Sequence, residues 1–272
     1  MCPKGDHKIV KEQDLFQVDA FAANVFEGNP AAVVVTEHEL QDSLMQAIAN
    51  ENNLAETAFV FGYGQSRLNI RWFTPTIEVD LCGHATLAAA HVLMTHYQLQ
   101  EDLVFGSKSG DLRVSKRNDM LWLDFPIDTF HRCDQSEQEN VKRIVGVNLQ
   151  AVYRGRFDLM AVVQDQRSLE DFLPRLDEIK ELPCRGLIVT AKGDELDFVS
   201  RFFAPQSGVP EDAVTGSAHT TLAPFWAREL GKRKLVAKQL SARGGRICCE
   251  VHGDRVLIGG NAITYLHGKI SV

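Results

Sequence analysis

Arg71-Trp72-Phe73-Thr74-Pro75 and Arg201-Phe202-Phe203-Ala204-Pro205 lie 130 positions apart and share one order: arginine, two aromatics, a small residue, proline. A short irregular stretch follows each, and then a glycine opens a helix-like segment. The first is Cys82-Gly83-His84-Ala85-Thr86-Leu87-Ala88-Ala89-Ala90-His91-Val92-Leu93. The second is Thr215-Gly216-Ser217-Ala218-His219-Thr220-Thr221-Leu222-Ala223-Pro224-Phe225-Trp226, offset by 133, so the later copy carries three extra residues in its connecting loop. Each unit then closes with a hairpin. Leu112–Ser115 and Met120–Phe125 flank Arg117-Asn118-Asp119, while Arg246–Val251 and Arg255–Ile258 flank Gly253-Asp254. An ordered series of matches is the mark of an internal duplication.

Around these anchors the chain reads as short strands. Phe16–Asp19, Ala31–Val35, Ala58–Phe61 and Leu68–Phe73 are β-branched or aromatic runs, followed in the second half by Leu159–Val163, Leu187–Thr190 and Phe198–Phe203. An apolar stripe of Leu40, Leu44, Ala47 and Ile48 predicts a helix over Glu39–Asn50. A second helix is expected around Leu169–Ile179, although Pro174 interrupts it. Pro126 and the polar stretch Ile127–Asn140 mark the domain boundary, giving domains 1–126 and 127–272, with the last strand free to pack back on the first domain.

The two duplicated helices are rich in small residues and nearly apolar all round, which predicts burial. Each either sits inside a curled sheet or packs on one sheet face as an ordinary core helix. Pro224 removes one backbone bond from the second and is expected to kink it. Their N-termini present unpaired N–H groups and positive potential, suited to a carboxylate or a developing enolate. If the halves face each other, both termini converge on one cleft, with Cys82 and Thr215 on opposite sides of a ligand. Thr215 is no base near neutral pH, so symmetric two-base racemisation is disfavoured.

Composition sets the remaining limits. The 272 residues are 44% hydrophobic, 8% aromatic and 24% charged, which excludes collagenous, disordered and disulfide-scaffold classes. With 29 Lys plus Arg against 36 Asp plus Glu, the net charge of -7 argues against nucleic acid as partner. No apolar run has the length of a membrane span and the first ten residues lack a signal-peptide core, so a cytoplasmic protein is expected. Cys2, Cys82, Cys133, Cys184, Cys248 and Cys249 form no CxxC and read as free thiols, with Cys248 and Cys249 on opposite faces of a strand. The nine histidines include no HExxH or paired Cys/His spacing, so no catalytic metal is expected. Ser241-Ala242-Arg243-Gly244-Gly245-Arg246 lacks the Walker lysine arrangement and reads as a loop entering the closing hairpin. No GxSxG elbow or dinucleotide fingerprint occurs.

Five motifs in order now carry a resemblance. Val18-Asp19-Ala20-Phe21, Gly28-Asn29-Pro30-Ala31-Ala32-Val33, Glu56-Thr57-Ala58-Phe59, Cys82-Gly83-His84 and Glu211-Asp212-Ala213-Val214-Thr215-Gly216-Ser217-Ala218-His219 resemble the PhzF-like family of phenazine biosynthesis over nearly the whole chain. The resemblance implies an α+β, diaminopimelate-epimerase-like fold: two pseudo-symmetric domains, each a β-barrel-like sheet around a central helix, with the active site between them. It also implies an isomerase that works without metal or organic cofactor, moving a proton within a cyclohexadiene amino acid by a glutamate acid and base. That glutamate matches Glu56. The supporting catalytic positions are His84 and Asp212, and Asn29, Gly83, Gly216 and Ser217 fall near the substrate. Ala85 and Ala213 stand where the family often has proline, which leaves the substrate less defined than the fold.

Taken alone, Glu56 reads as a cap or surface residue, His84 and Ser217 as helix-terminal structure, and Asp212 as a turn residue. Under the resemblance, His84 is expected to be neutral at its helix end, and Asp212 to orient it or to bind a substrate amine. Cys82 is a buried inert thiol or an acid/base. The expected activity is a proton shift on a small carboxylated, amino-acid-like metabolite. The alternatives are an epimerase or dehydratase using Cys82 as its single base, and a non-enzymatic binding protein on the same fold. Exposed strand edges are compatible with a homodimer.

Overall fold

The computed structural model describes residues 12–272 apart from 65, 66, 101 and 147; Cys2 lies outside the described residues. The first half runs β1 (Glu12–Ala20), β2 (Asn29–Thr36), α1 (Asp42–Asn52), β3 (Glu56–Phe61), β4 (Leu68–Phe73), β5 (Glu78–Val79), α2 (Gly83–Thr95), β6 (Leu103–Ser107), β7 (Gly110–Arg117) and β8 (Met120–Pro126). The second runs β9 (His131–Arg132), α3 (Gln135–Val145), β10 (Leu149–Arg154), β11 (Leu159–Val163), α4 (Gln166–Glu170), α5 (Leu176–Lys180), β12 (Leu187–Lys192), β13 (Phe198–Ala204) and β14 (Val209–Asp212). It continues with α6 (His219–Leu230), β15 (Lys234–Gln239), β16 (Gly245–His252), β17 (Arg255–Gly260) and β18 (Ala262–Ser271).

The pairing repeats. β1–β2 is antiparallel, β2–β3 parallel, β3–β4 antiparallel and β4–β6 parallel, and β6–β7–β8 form an antiparallel meander. β10–β11, β11–β12, β12–β13, β13–β15 and β15–β16–β17 follow the same sequence of directions. Strands buried on both faces, as parallel neighbours require, explain the unbroken apolar runs of β2 and β11. The closing hairpin of the first half turns through Asn118 (φ 49) and Asp119 (φ 64), two residue types that tolerate left-handed backbone. Two ladders tie the halves together. β8 pairs antiparallel with β17, from Leu121↔Gly260 to Pro126↔Arg255, and β18 returns to pair with β1.

The sheet curls around α2, whose Gly83–Ala90, Val92 and Leu93 are all buried and which packs on β1, β2, β3, β8 and β18. That decides between the two expectations for this helix. α6 is less apolar: its inner face carries Leu222, Phe225 and Trp226, while Arg228 and Glu229 are about half exposed. Trp226 reaches across the barrel, stacking on Phe198 and donating its indole N–H to Thr190 Oγ1 at 2.9 Å. α6 runs continuously through Pro224, and the Thr220 carbonyl that the proline leaves without its helical partner accepts the Asp128 N–H at 3.2 Å. α1 covers the outside of the first sheet, where Met45, Ile48 and Ala49 meet Val34, Phe59 and Phe73.

One expectation is corrected. Leu169–Ile179 is two one-turn helices, α4 and α5, because Pro174 breaks the run. The polar stretch after Pro126 holds β9 and most of α3, a helix of which only Val141 and Ile144 are buried. Its signal was the cap: Asp134 accepts the Glu137 N–H at 2.9 Å, the acidic equivalent of a capping box. Among the described residues no helix is long and apolar enough to cross a membrane.

Candidate active site

Glu56 is the first residue of β3, placed by the end of α1. Asn53 takes left-handed backbone (φ 48) to stop the helix, and Asn52 bonds Thr57 Oγ1 at 3.1 Å, so the strand begins at the carboxylate. His84 lies in the first turn of α2, after Cys82 at the cap position. Asp212 ends β14, and Thr215, Gly216 and Ser217 lead into α6. That second helix start is tighter than the first, because His219, Thr220 and Thr221 bond back three residues rather than four. Ser217 therefore sits in a lead-in turn, and regular helix begins at His219.

The helix starts meet. A Cβ built on Gly83 would lie 3.9 Å from the Gly216 Cα, and one built on Gly216 would lie 3.9 Å from the Gly83 Cα. A cleft of about 430 Å³ opens at this junction. Glu56, Cys82, Gly83 and His84 line it from the first half, and Asp212, Gly216 and Ser217 from the second. Asn29 does not line it. It is 1% exposed and stands behind the site, donating to Asp212 Oδ1 at 2.7 Å and to the Val214 carbonyl at 2.9 Å. The structure therefore gives it a positioning place rather than the ligand contact expected of it.

His84 lies between two partners. Its Nε2 is 3.1 Å from Glu56 Oε2, and its Nδ1 is 3.5 Å from Cys82 Sγ. Asn29 Nδ2 is 3.3 Å from the same Nδ1, but its two protons serve the shorter bonds to Asp212 and Val214. In the neutral ring, Nδ1 thus accepts the Cys82 S–H and Nε2 carries the proton toward Glu56. The Glu56 contact is one of charge and proximity, since neither Oε2 nor Nε2 has a hydrogen bond of good geometry. Such unaligned pairs tighten when substrate arrives.

Charge follows from this packing. Burial opposes protonation of His84, while its neighbours Cys82 and Glu56 favour it and hold the imidazole above its usual range. Against the neutral His84 expected from the helix dipole stands the Glu56 carboxylate at 3.1 Å, which favours the charged form. Burial, with Glu56 adding to it, pushes the Cys82 thiol up. Burial likewise raises Asp212, against the lowering effect of His84, of the Thr215 hydroxyl at 2.6 Å and of Asn29.

A family model described as Phenazine biosynthesis-like protein matches residues 18–268. The chain belongs to this family. An uncharacterized isomerase of Pseudomonas aeruginosa is 48% identical to it over 263 residues, covering 95% of this chain and 99% of the relative. The crystal structure of a phenazine biosynthesis protein of the PhzF family from Enterococcus faecalis matches with a TM-score of 0.92 at 44% identity, over 96% of this chain and 100% of that one. A protein named a predicted epimerase from Pseudomonas aeruginosa shares the fold, with a TM-score of 0.74 at 22% identity over 95% and 99% of the two chains. This PhzF-like chain is an enzyme of the isomerase type on a diaminopimelate-epimerase-like fold.

In the PhzF-like chain the duplication extends to ion pairs that the sequence reading passed over. Arg71 grips Glu78 at 2.7 and 2.8 Å, and Arg201 grips Glu211 at 2.8 and 3.1 Å, each pair bracing the loop before its helix. The carboxylates are 133 positions apart, on the far side of the three-residue insertion. Ser241–Arg246 is a structural loop: Arg243 binds Asp19 Oδ1 at 2.7 Å and the Gly28 carbonyl at 2.8 Å, clasping the β1–β2 turn. Glu56, Cys82 and His84 also offer three donor atoms within 4.8 Å of one another, a group that could hold a metal ion. The imidazole meets Cys82 through Nδ1 and Glu56 through Nε2.

Proposed function

We propose that this chain catalyses a cofactor-independent proton shift within a small carboxylated, amino-acid-like metabolite. The observation that carries the reading is the one-sidedness of the cleft. Offsetting the first helix start by 133 places Thr215 opposite Cys82 and Ser217 opposite His84. The first helix start thus carries a thiol and an imidazole beside the Glu56 carboxylate, and the equivalent positions of the second carry two hydroxyls, while the second wall's own carboxylate, Asp212, is tied up by Asn29 and Thr215. A racemase needs a base on each face of its carbon. One base suits removal of a proton and its return to another carbon of the same molecule.

In this mechanism the Glu56 carboxylate takes a proton from a carbon next to an unsaturated or carbonyl-activated centre. The electron pair left behind delocalises into that system, and the N–H groups at the two helix starts stabilise the developing charge. Glu56, now protonated and in exchange with solvent, delivers a proton to a different carbon, so the double bond migrates and the molecule is otherwise unchanged. His84 holds Glu56 in place and balances its charge, and Asp212, through Asn29 and Thr215, fixes the floor beneath it. Use of Cys82 as the base is less favoured, because burial keeps its thiol protonated. The two units are taken as residues 1–126 and 127–272, with the final strand crossing back to the first, so that each supplies one wall.

The test is proton NMR in D₂O with a panel of unsaturated carboxylates and amino acids. Deuterium entering one carbon as a double bond moves is the expected result. Binding of a panel member with no exchange at any carbon would favour a binding protein.

A further inference from the structure

The second wall has a charged residue of its own. Arg185 lies just before β12, and β12 holds in the second sheet the place that β3 holds in the first, parallel to one neighbour and antiparallel to the next. As Glu56 from the edge of β3 meets His84, so Arg185 meets Ser217, its Nη2 donating to Ser217 Oγ at 3.2 Å. Position 217 is the duplicate of position 84. The partners of these two matching helix positions are therefore of opposite charge, a carboxylate beside His84 and a guanidinium beside Ser217.

Arg185 is built to stay in place. Its Nε donates to Asp158 Oδ1 at 2.9 Å and its Nη2 to Asp158 Oδ2, and Asp158 is only 2% exposed. Phe157 and Phe202 carry the guanidinium on their rings at 5.5 and 5.6 Å. Gly186 makes room for this, since a Cβ there would come within 2.4 Å of the Phe202 ring. One edge of the fork is thus committed to Asp158. Nη1 has no hydrogen-bond partner among the described residues, the side chain remains 39% exposed, and the residue lines the cleft. A purely structural arginine would have little use for an open, pre-oriented donor edge on the wall of the cleft that Glu56 and His84 also line.

We propose that Arg185 binds the carboxylate of the substrate, holding it beside Ser217 so that the reacting carbon faces Glu56. The substrate class is a small unsaturated or aromatic-like acid, its anionic end on the guanidinium and its planar part beside Phe202. This rests on the cleft being the active site, as proposed above, and assigns the second wall to recognition and the first to chemistry.

Benzoate and its neutral isostere benzamide are the probes, titrated calorimetrically into wild type, Arg185→Gln, Arg185→Lys and Glu56→Gln. Wild type is expected to prefer benzoate. Arg185→Gln should weaken benzoate by about tenfold or more, leaving benzamide within about twofold, and Arg185→Lys should restore part of the loss. Arg185→Gln also strands Asp158, so the double variant Arg185→Gln/Asp158→Asn is included; it should regain stability and still not prefer benzoate. Absence of benzoate binding to wild type, unchanged benzoate affinity in the Arg185 variants, or equal loss of both probes would overturn the proposal. Benzoate binding needs no turnover, so Glu56→Gln should retain it, and failure of either wall's role is seen separately from the other.

Discussion

His84 Nε2 stands 3.1 Å from Glu56 Oε2 although the two residues come from different elements, the start of a helix and the start of a strand. Both atoms are buried without an aligned hydrogen bond, so the pair keeps a proton-accepting and a proton-donating group poised rather than satisfied. Removing the Glu56 charge takes away one of the groups that favour a proton on His84.

Cys82 is the group that separates the two enzymatic readings. Burial keeps it a thiol, and its contact is with the Nδ1 of the imidazole. Cys82→Ala should retain turnover within about tenfold, whereas a catalytic base contributes about 10²–10⁴. Steady-state kinetics of this variant, with iodoacetamide labelling of wild type followed by mass spectrometry, checks both the role and the low reactivity.

Asn29 joins the halves beneath the site. Asn29→Ala leaves Asp212 Oδ1 and the Val214 carbonyl without their donor and should cost about 2–4 kcal/mol in urea unfolding, with a fall in activity. Asn29→Asp, though the same shape, sets a second carboxylate against Asp212. It should be the worse of the two at neutral pH and recover as the pH falls and a proton replaces the lost donor.

His219 gives the pH dependence of stability a sign. Its Nδ1 donates to the Thr215 carbonyl at 2.9 Å, and burial, only partly opposed by that carbonyl, lowers its pKa to about 4. Between that value and the ordinary imidazole range the unfolded chain binds more protons, so stability is present above about pH 6.5 and is lost on acidification toward 4. His219→Asn keeps a donor for Thr215 and removes the titration. Urea unfolding across this window should show the acid loss reduced by about 3 kcal/mol, and an unchanged slope would contradict the assignment.

The duplication was legible because it rests on local residue types: the Arg-aromatic-Pro runs, the glycines before α2 and α6, and the hairpins all lie within short windows. Glu56, His84, Asp212 and Ser217 were legible only through a resemblance of motifs, since each alone reads as a cap or a turn. Asn29 was misplaced because its partner Asp212 is 183 residues away, a contact no spacing reveals. Arg185 was missed for the same reason, its role being set by Asp158, Phe202 and Ser217 from separate segments. α3 was missed because a helix with two buried residues carries almost no apolar period.

The central claim is that Glu56 alone carries the proton. On a substrate found by D₂O exchange, Glu56→Gln keeps the shape and size of the side chain and removes its basicity. Proton NMR should then show both exchange and double-bond migration falling together by about 10²–10⁴, with the fold intact by circular dichroism. Full exchange in Glu56→Gln would contradict the mechanism outright.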